Sequence, residues 1–146
     1  MATVRASTEI QVPVSDVFAF VSNVENIPKW QSEVVTSKVV TPGPTRLGTK
    51  YEEVINLLGK KVPTLCEVTE FQPTRRITFR STSSSIVSYV GAFSLEPDGR
   101  ATKLSVEAQF TLNGFWKLID PLFRMEVRKG IHEELDKLKS LLENGR

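Results

Sequence analysis

Near the C-terminus, Phe123, Val127, Ile131, Leu135, Leu138 and Leu142 recur at spacings of three and four. That period marks an amphipathic helix of roughly thirty residues, and a helix with an apolar stripe has to bury it. What precedes the helix decides what it can be buried against. One strand pattern leads into a short helix, and about six further strand-like segments follow, joined by tight turns. The only large partner for the stripe is a strongly curved antiparallel sheet. A sheet wrapped around one helix leaves a space between the two, and that space is the expected functional site. With 146 residues the chain has a one-domain length, spanning 1–146, and the expected class is α+β.

The strands follow from alternation. Val4, Ala6, Thr8, Ile10 and Val12 alternate with polar residues until Pro13 ends the run. Ser15 and Asp16 offer N-cap oxygens to a short helix that buries Val17, Phe18, Phe20 and Val21. A further helical turn is expected over Asn26–Trp30, with Trp30 folding back as an anchor. Strands are then expected over Val34–Val40, Leu47–Leu57 and Lys61–Phe71, the last carrying Pro63 at an edge or a bulge. Ile77–Ser81 follows, and the serine run to Ser85 reads as a loop. Two more strands flank a hairpin turn at Asp98-Gly99, with Val87, Tyr89, Gly91, Phe93 and Leu95 on one face of the first. Pro121 is tolerated in a first helical turn, so the last helix is expected to begin near Asp120.

Composition removes several function classes. Nineteen basic and 17 acidic residues give a net charge of +2 without a block of one sign, so no nucleic-acid stripe or polybasic anchor stands out. The one cysteine, Cys66, excludes an intramolecular disulfide framework and a multi-cysteine zinc site. The first residues lack the apolar stretch of a secretory signal, and no segment has the length of a membrane span, so a cytoplasmic protein is expected. Gly43 and Gly48 do not make a phosphate loop, and the single histidine, His132, has no second histidine to share a metal. No cofactor and no metal are expected. Monomer and homodimer both remain open.

The segment Glu9-Ile-Gln-Val-Pro-Val-Ser-Asp-Val-Phe-Ala-Phe, followed by Asn26-Ile-Pro-Lys-Trp30, resembles the opening of the polyketide cyclase/dehydrase proteins. These belong to the SRPBCC superfamily, with the START lipid-transfer domains and the birch-pollen allergen. Leu47-Gly-Thr-Lys-Tyr51 and Cys66-Glu-Val-Thr-Glu-Phe-Gln-Pro73 resemble its middle strands. The resemblance implies a helix-grip fold, in which a sheet of about seven strands grips the C-terminal helix. It also implies a cavity for an apolar or polycyclic molecule, lipid- or polyketide-like, with cyclisation or dehydration as the enzymatic alternative. The glycine-rich loop of the pollen allergens is absent, which argues against phytohormone-type binding.

Parity selects the residues that should bound the cavity: Tyr51, Glu53, Ile55, Phe79, Tyr89 and Phe93 from the strands, and Leu122, Phe123 and Val127 from the helix. Glu53 is the unusual member. A carboxylate on an apolar face is costly unless it is paired or wet. Either it lies in the cavity with a raised pKa, or a bulge turns it to solvent. Tyr89 should place its ring inside, with its hydroxyl either on a ligand or on a backbone carbonyl. Glu53 and Tyr89 are the catalytic candidates if the protein is an enzyme. Cys66 reads as a small core residue, and His132 as a rim or exposed one. Trp30, Trp116 and Phe115 are candidates for the mouth or for plain core.

Three functions compete: a small-molecule binding module, a cyclase or dehydratase, and an interaction domain whose cavity is self-filled. The polar groups inside discriminate. None favours the third, isolated ones the first, and a hydrogen-bonded pair the second.

Overall fold

The computed structural model describes residues 2–83 and 86–145. Seven antiparallel strands form one sheet in the order β1-β7-β6-β5-β4-β3-β2. The strands are β1 (Ala2–Ile10), β2 (Val34–Val39), β3 (Lys50–Leu57), β4 (Lys60–Gln72), β5 (Arg76–Ser83), β6 (Val87–Asp98) and β7 (Ala101–Leu112). Helix α1 (Val14–Val21) and a 3-10 turn (Val24–Lys29) link the two edge strands β1 and β2. A second 3-10 turn (Gly114–Ile119) leads into the long helix α2 (Asp120–Asn144). This is the helix-grip arrangement expected from the sequence.

Local chemistry accounts for the curvature. The ladder shifts register between Leu65 and Cys66 and between Val68 and Glu70 in β4, and between Val34 and Thr36 in β2. Such irregularities bend and twist a strand, so the sheet coils around its apolar face. Pro63 pairs with Val54 on one side, while β5 meets β4 only from Leu65 onward, so the missing N–H falls where β4 has a free edge among the described residues.

Three local expectations need correction. Helix α1 starts at Val14 with Pro13 as its N-cap, and no side chain caps it. The N–H groups of Asp16 and Val17 bond the Pro13 carbonyl instead, so Ser15 and Asp16 lie within the first turn and not at the cap. The hairpin between β6 and β7 pairs Asp98 with Ala101, which makes Gly99-Arg100 its centre, one residue later than expected. Gly99 takes the left-handed conformation (φ 62°) that suits glycine at that position. Finally, Ser81–Ser83 belong to β5 and not to a loop, whereas Ser84 and Ser85 lie outside the described residues.

The core forms on the concave face. Ile131, Leu135 and Leu138 of α2 join Val4, Ile10, Ile77, Phe93 and Leu104 of the sheet in the main cluster. Phe123 belongs to a second, smaller cluster with Leu57, Val62, Val87 and Leu112. The C-terminal end of α2 is also tied to the chain just after β1: Glu143 accepts from the Gln11 N–H at 2.7 Å and from Lys139 at 2.8 Å. No helix among the described residues is long and apolar enough to cross a membrane.

Candidate ligand-binding site

An internal cavity of about 110 Å³ lies between the sheet and the first half of α2. Seven of the nine residues selected by parity border it: Glu53, Ile55, Phe79, Tyr89 and Phe93 from the sheet, with Phe123 and Val127 from the helix. Two do not. Leu122 is 57% exposed, because one residue turns about 100° around a helix and carries it off the buried stripe. Tyr51 is fully buried but lies outside the lining, edge-on to Phe79 with ring centroids 6.4 Å apart.

Glu53 is only 3% exposed. The ladder from Lys50 to Leu57 pairs with β4 without interruption, so nothing turns Glu53 outward. Its Oε1 accepts a short hydrogen bond from the Tyr89 hydroxyl. The Cys66 thiol lies 3.7 Å from the same carboxylate oxygen and 3.1 Å from the Tyr89 hydroxyl. Because Tyr89 donates to Glu53, its oxygen is free to accept from Cys66, and a chain of donors runs from thiol to phenol to carboxyl. The alternative that Tyr89 bonds a backbone carbonyl is not what occurs. Cys66 is also more than a small core hydrophobe. Cross-strand pairing sets it opposite Tyr51, one pleat from Glu53.

Burial sets the protonation states. It raises the Glu53 carboxyl from the usual 4.5 to about 6, against the opposing effect of hydrogen bonds from Tyr89 and Cys66. It also drives the Cys66 thiol far up, with the Glu53 charge adding to the effect. Tyr51 and Tyr89 are pushed up as well, first by burial and then by neighbouring charges. Near neutral pH the thiol and both phenols therefore keep their protons, and Glu53 is the member that titrates. A thiol held protonated is a poor nucleophile.

Trp30, one of the three aromatic candidates for the mouth, borders the cavity, packs on Phe93 at 5.3 Å, and is 1% exposed. Other lining residues escaped the sequence reading. Glu33 and Glu134 line it as well, from the segment before β2 and from α2. Their positions depend on a 3-10 turn and a helix meeting across the fold, which no strand or helix period encodes. Gly91 also lines it; a Cβ there would stand 3.2 Å from the Phe79 ring, so glycine lets that ring lie flat on β6. Phe115 is 73% exposed and Trp116 is half-buried against it, and neither borders the cavity. His132 is exposed, and no group of three metal-ligating side chains occurs among the described residues.

The helix-gripped sheet has its counterpart in known proteins. The profile of the family described as polyketide cyclase/dehydrase and lipid transport matches residues 1–143, and the chain belongs to that family. A protein from Thermus thermophilus is similar in fold, with a TM-score of 0.82 at 23% identity over 99% of both chains. So is a START superfamily protein from Mycobacterium smegmatis, with a TM-score of 0.82 at 15% identity over 99% of both chains. The Zhui aromatase/cyclase from Streptomyces sp. R1128 superposes with a TM-score of 0.79 at 14% identity, over 98% of this chain and 94% of its own. At these identities the likeness establishes the fold alone. No curated protein matches this chain in sequence.

Proposed function

We propose that the protein binds a small, mainly apolar molecule between the sheet and the first half of α2, with the molecule's polar end on Glu53 and Tyr89. The observation that carries this reading is a mainly apolar cavity with a buried, hydrogen-bonded Glu–Tyr pair in its wall. Size constrains the ligand. The cavity of about 110 Å³ is below the ~300–1,000 Å³ of drug-sized sites. It is of the order of the ~150 Å³ cavity that accepts benzene. Burying roughly 150 Å² of apolar surface is worth about 4 kcal/mol, which is millimolar affinity. Tighter binding requires the polar pair, or a larger ligand that displaces the first half of α2.

Acid–base catalysis at the same pair is the second reading; it contains the first, since a substrate must bind before it reacts, and the hydrogen-bonded pair is the feature expected of it. A carboxyl near pH 6, hydrogen-bonded to a phenol in an apolar pocket, suits proton transfer in a cyclisation or dehydration. In that reading Glu53 moves the proton and Tyr89 orients a carbonyl.

The test is a titration with 1-indanone, a compact apolar ketone, followed by calorimetry. Saturable binding is expected, together with its loss in Tyr89→Trp, which fills the cavity. Glu53→Gln keeps binding in both readings, but removes turnover of a processed substrate only in the second. No saturable binding by the wild type would overturn the proposal.

A further inference from the structure

The polar groups of the cavity are unbalanced in charge. Glu33, Glu53, Glu107 and Glu134 all border it, and among the described residues Glu107 alone of these is ion-paired, to Arg5; none of the described lining residues is Lys, Arg or His. Glu53 has donors in Tyr89 and Cys66. Glu33 and Glu134 face each other over Gly130: a Cβ built there would stand 2.9 Å from Glu33 Oε1 and 3.7 Å from Glu134 Oε1. Glu134 Oε1 is buried and has no hydrogen-bond donor. Burial pushes the Glu134 carboxyl well up, a hydrogen bond shared with Glu33 and that carboxyl's charge push it further, and hydrogen bonds from Ser32 oppose the rise in part. Two carboxyls held this close need a proton or a cation between them.

A second, independent feature lies at the same cavity. Trp30 lines it, is 1% exposed, and its indole N–H has no partner in the protein. An unpaired buried donor is costly unless something else meets it. The ring beside it is also the best aromatic face for a cation. No third His, Cys, Asp or Glu joins the carboxyls among the described residues, so the arrangement suits an organic cation better than a metal ion.

We propose that Glu33 and Glu134, with Trp30 lining the same cavity and Gly130 making room, form a second polar station that selects ligands bearing a basic amine and rejects carboxylates. This rests on the binding reading above and specifies the ligand's chemistry. An ammonium group supplies a positive charge that can replace the proton shared by the two carboxyls, and a donor for Glu134 Oε1. A carboxylate would add like charge to three carboxyls in a poorly solvated space. A neutral alcohol falls between the two.

The experiment uses three probes of one shape: 3-phenylpropylamine, 3-phenylpropanol and 3-phenylpropionate, titrated into the full chain by calorimetry at pH 7. The amine is expected to bind roughly tenfold or more tighter than the carboxylate, with the alcohol between. In Glu33→Gln/Glu134→Gln the preference for amine over carboxylate should collapse while the alcohol is unaffected. That variant removes like-charge repulsion, so it should remain folded. Gly130→Ala leaves both carboxyls but displaces Glu33 Oε1, and should also weaken the amine selectively. Equal binding of the three probes to the wild type would overturn this inference and leave the binding reading intact. An amine preference that survives the double variant but vanishes in Glu53→Gln would also overturn it, since the deep carboxyl would then be the selector. Failure of the neutral alcohol and of 1-indanone alike would overturn both readings.

Discussion

The two halves of α2 do different work. In the second half, Leu135 is 2% exposed and Leu138 is fully buried, and Lys139 and Glu143 tie the helix to the residues around the end of β1. In the first half, Phe123 and Val127 border the cavity, while Leu122 and Met125 are 57% and 53% exposed. The same stripe is close-packed at one end and only loosely backed at the other. The difference separates the anchor from the part that faces a ligand. It also predicts that substitutions along one helix will divide into those that unfold the protein and those that alter binding.

The largest effect is expected at the anchor. Leu135→Ala or Leu138→Ala should cost about 2–5 kcal/mol in urea denaturation, since each leaves a cavity in a filled core. A loss below about 0.5 kcal/mol at both would dissolve the distinction. Next comes Glu53, under the helix's first half. Its folded-state pKa of about 6 lies above the usual 4.5, so the folded protein binds this proton more tightly than the unfolded chain. The stability from that proton is fully present below about pH 4.5 and is lost as pH rises through 6, an amplitude of about 2 kcal/mol. Glu53→Gln should flatten this part of the stability–pH curve. An unchanged curve would mean that Glu53 is solvated. Val127→Ala should cost about 1 kcal/mol, less than either leucine, because the cavity already leaves its packing incomplete. It should change 1-indanone affinity all the same. Leu122→Ala should be smallest, within about 0.5 kcal/mol, and should leave binding unchanged.

How much of this could be read in the sequence follows the same division. Periodicity is local, and it located what is locally encoded. Alternation set Glu53, Ile55, Phe79, Tyr89 and Phe93 on one face because the slips beside Ile55 and Phe79 put the extra residue in β2 and β4, which leaves the alternation of β3, β5 and β6 at those positions intact. The helical period found the stripe through Ile131 and Leu138, and erred at Leu122 by including the neighbour of Phe123. The part of the site made by distant segments was out of reach. Glu134 sits beside Leu135 on the helix, and only the fold brings the segment before β2 close enough for Glu33 to meet it. The Cys66–Tyr89–Glu53 chain required the register of three strands at once.

The central claim is that the space under α2 as far as Glu134 receives a ligand while the helix from Leu135 onward stays closed. Methyl-resolved NMR during a 1-indanone titration tests it most directly. Saturable shifts are predicted at Ile55, Val127 and Ile131, with Leu104 and Leu138 unmoved. Shifts that do not saturate, or that appear at the exposed Leu118 and Leu122 while Ile55 and Val127 stay still, would contradict the account.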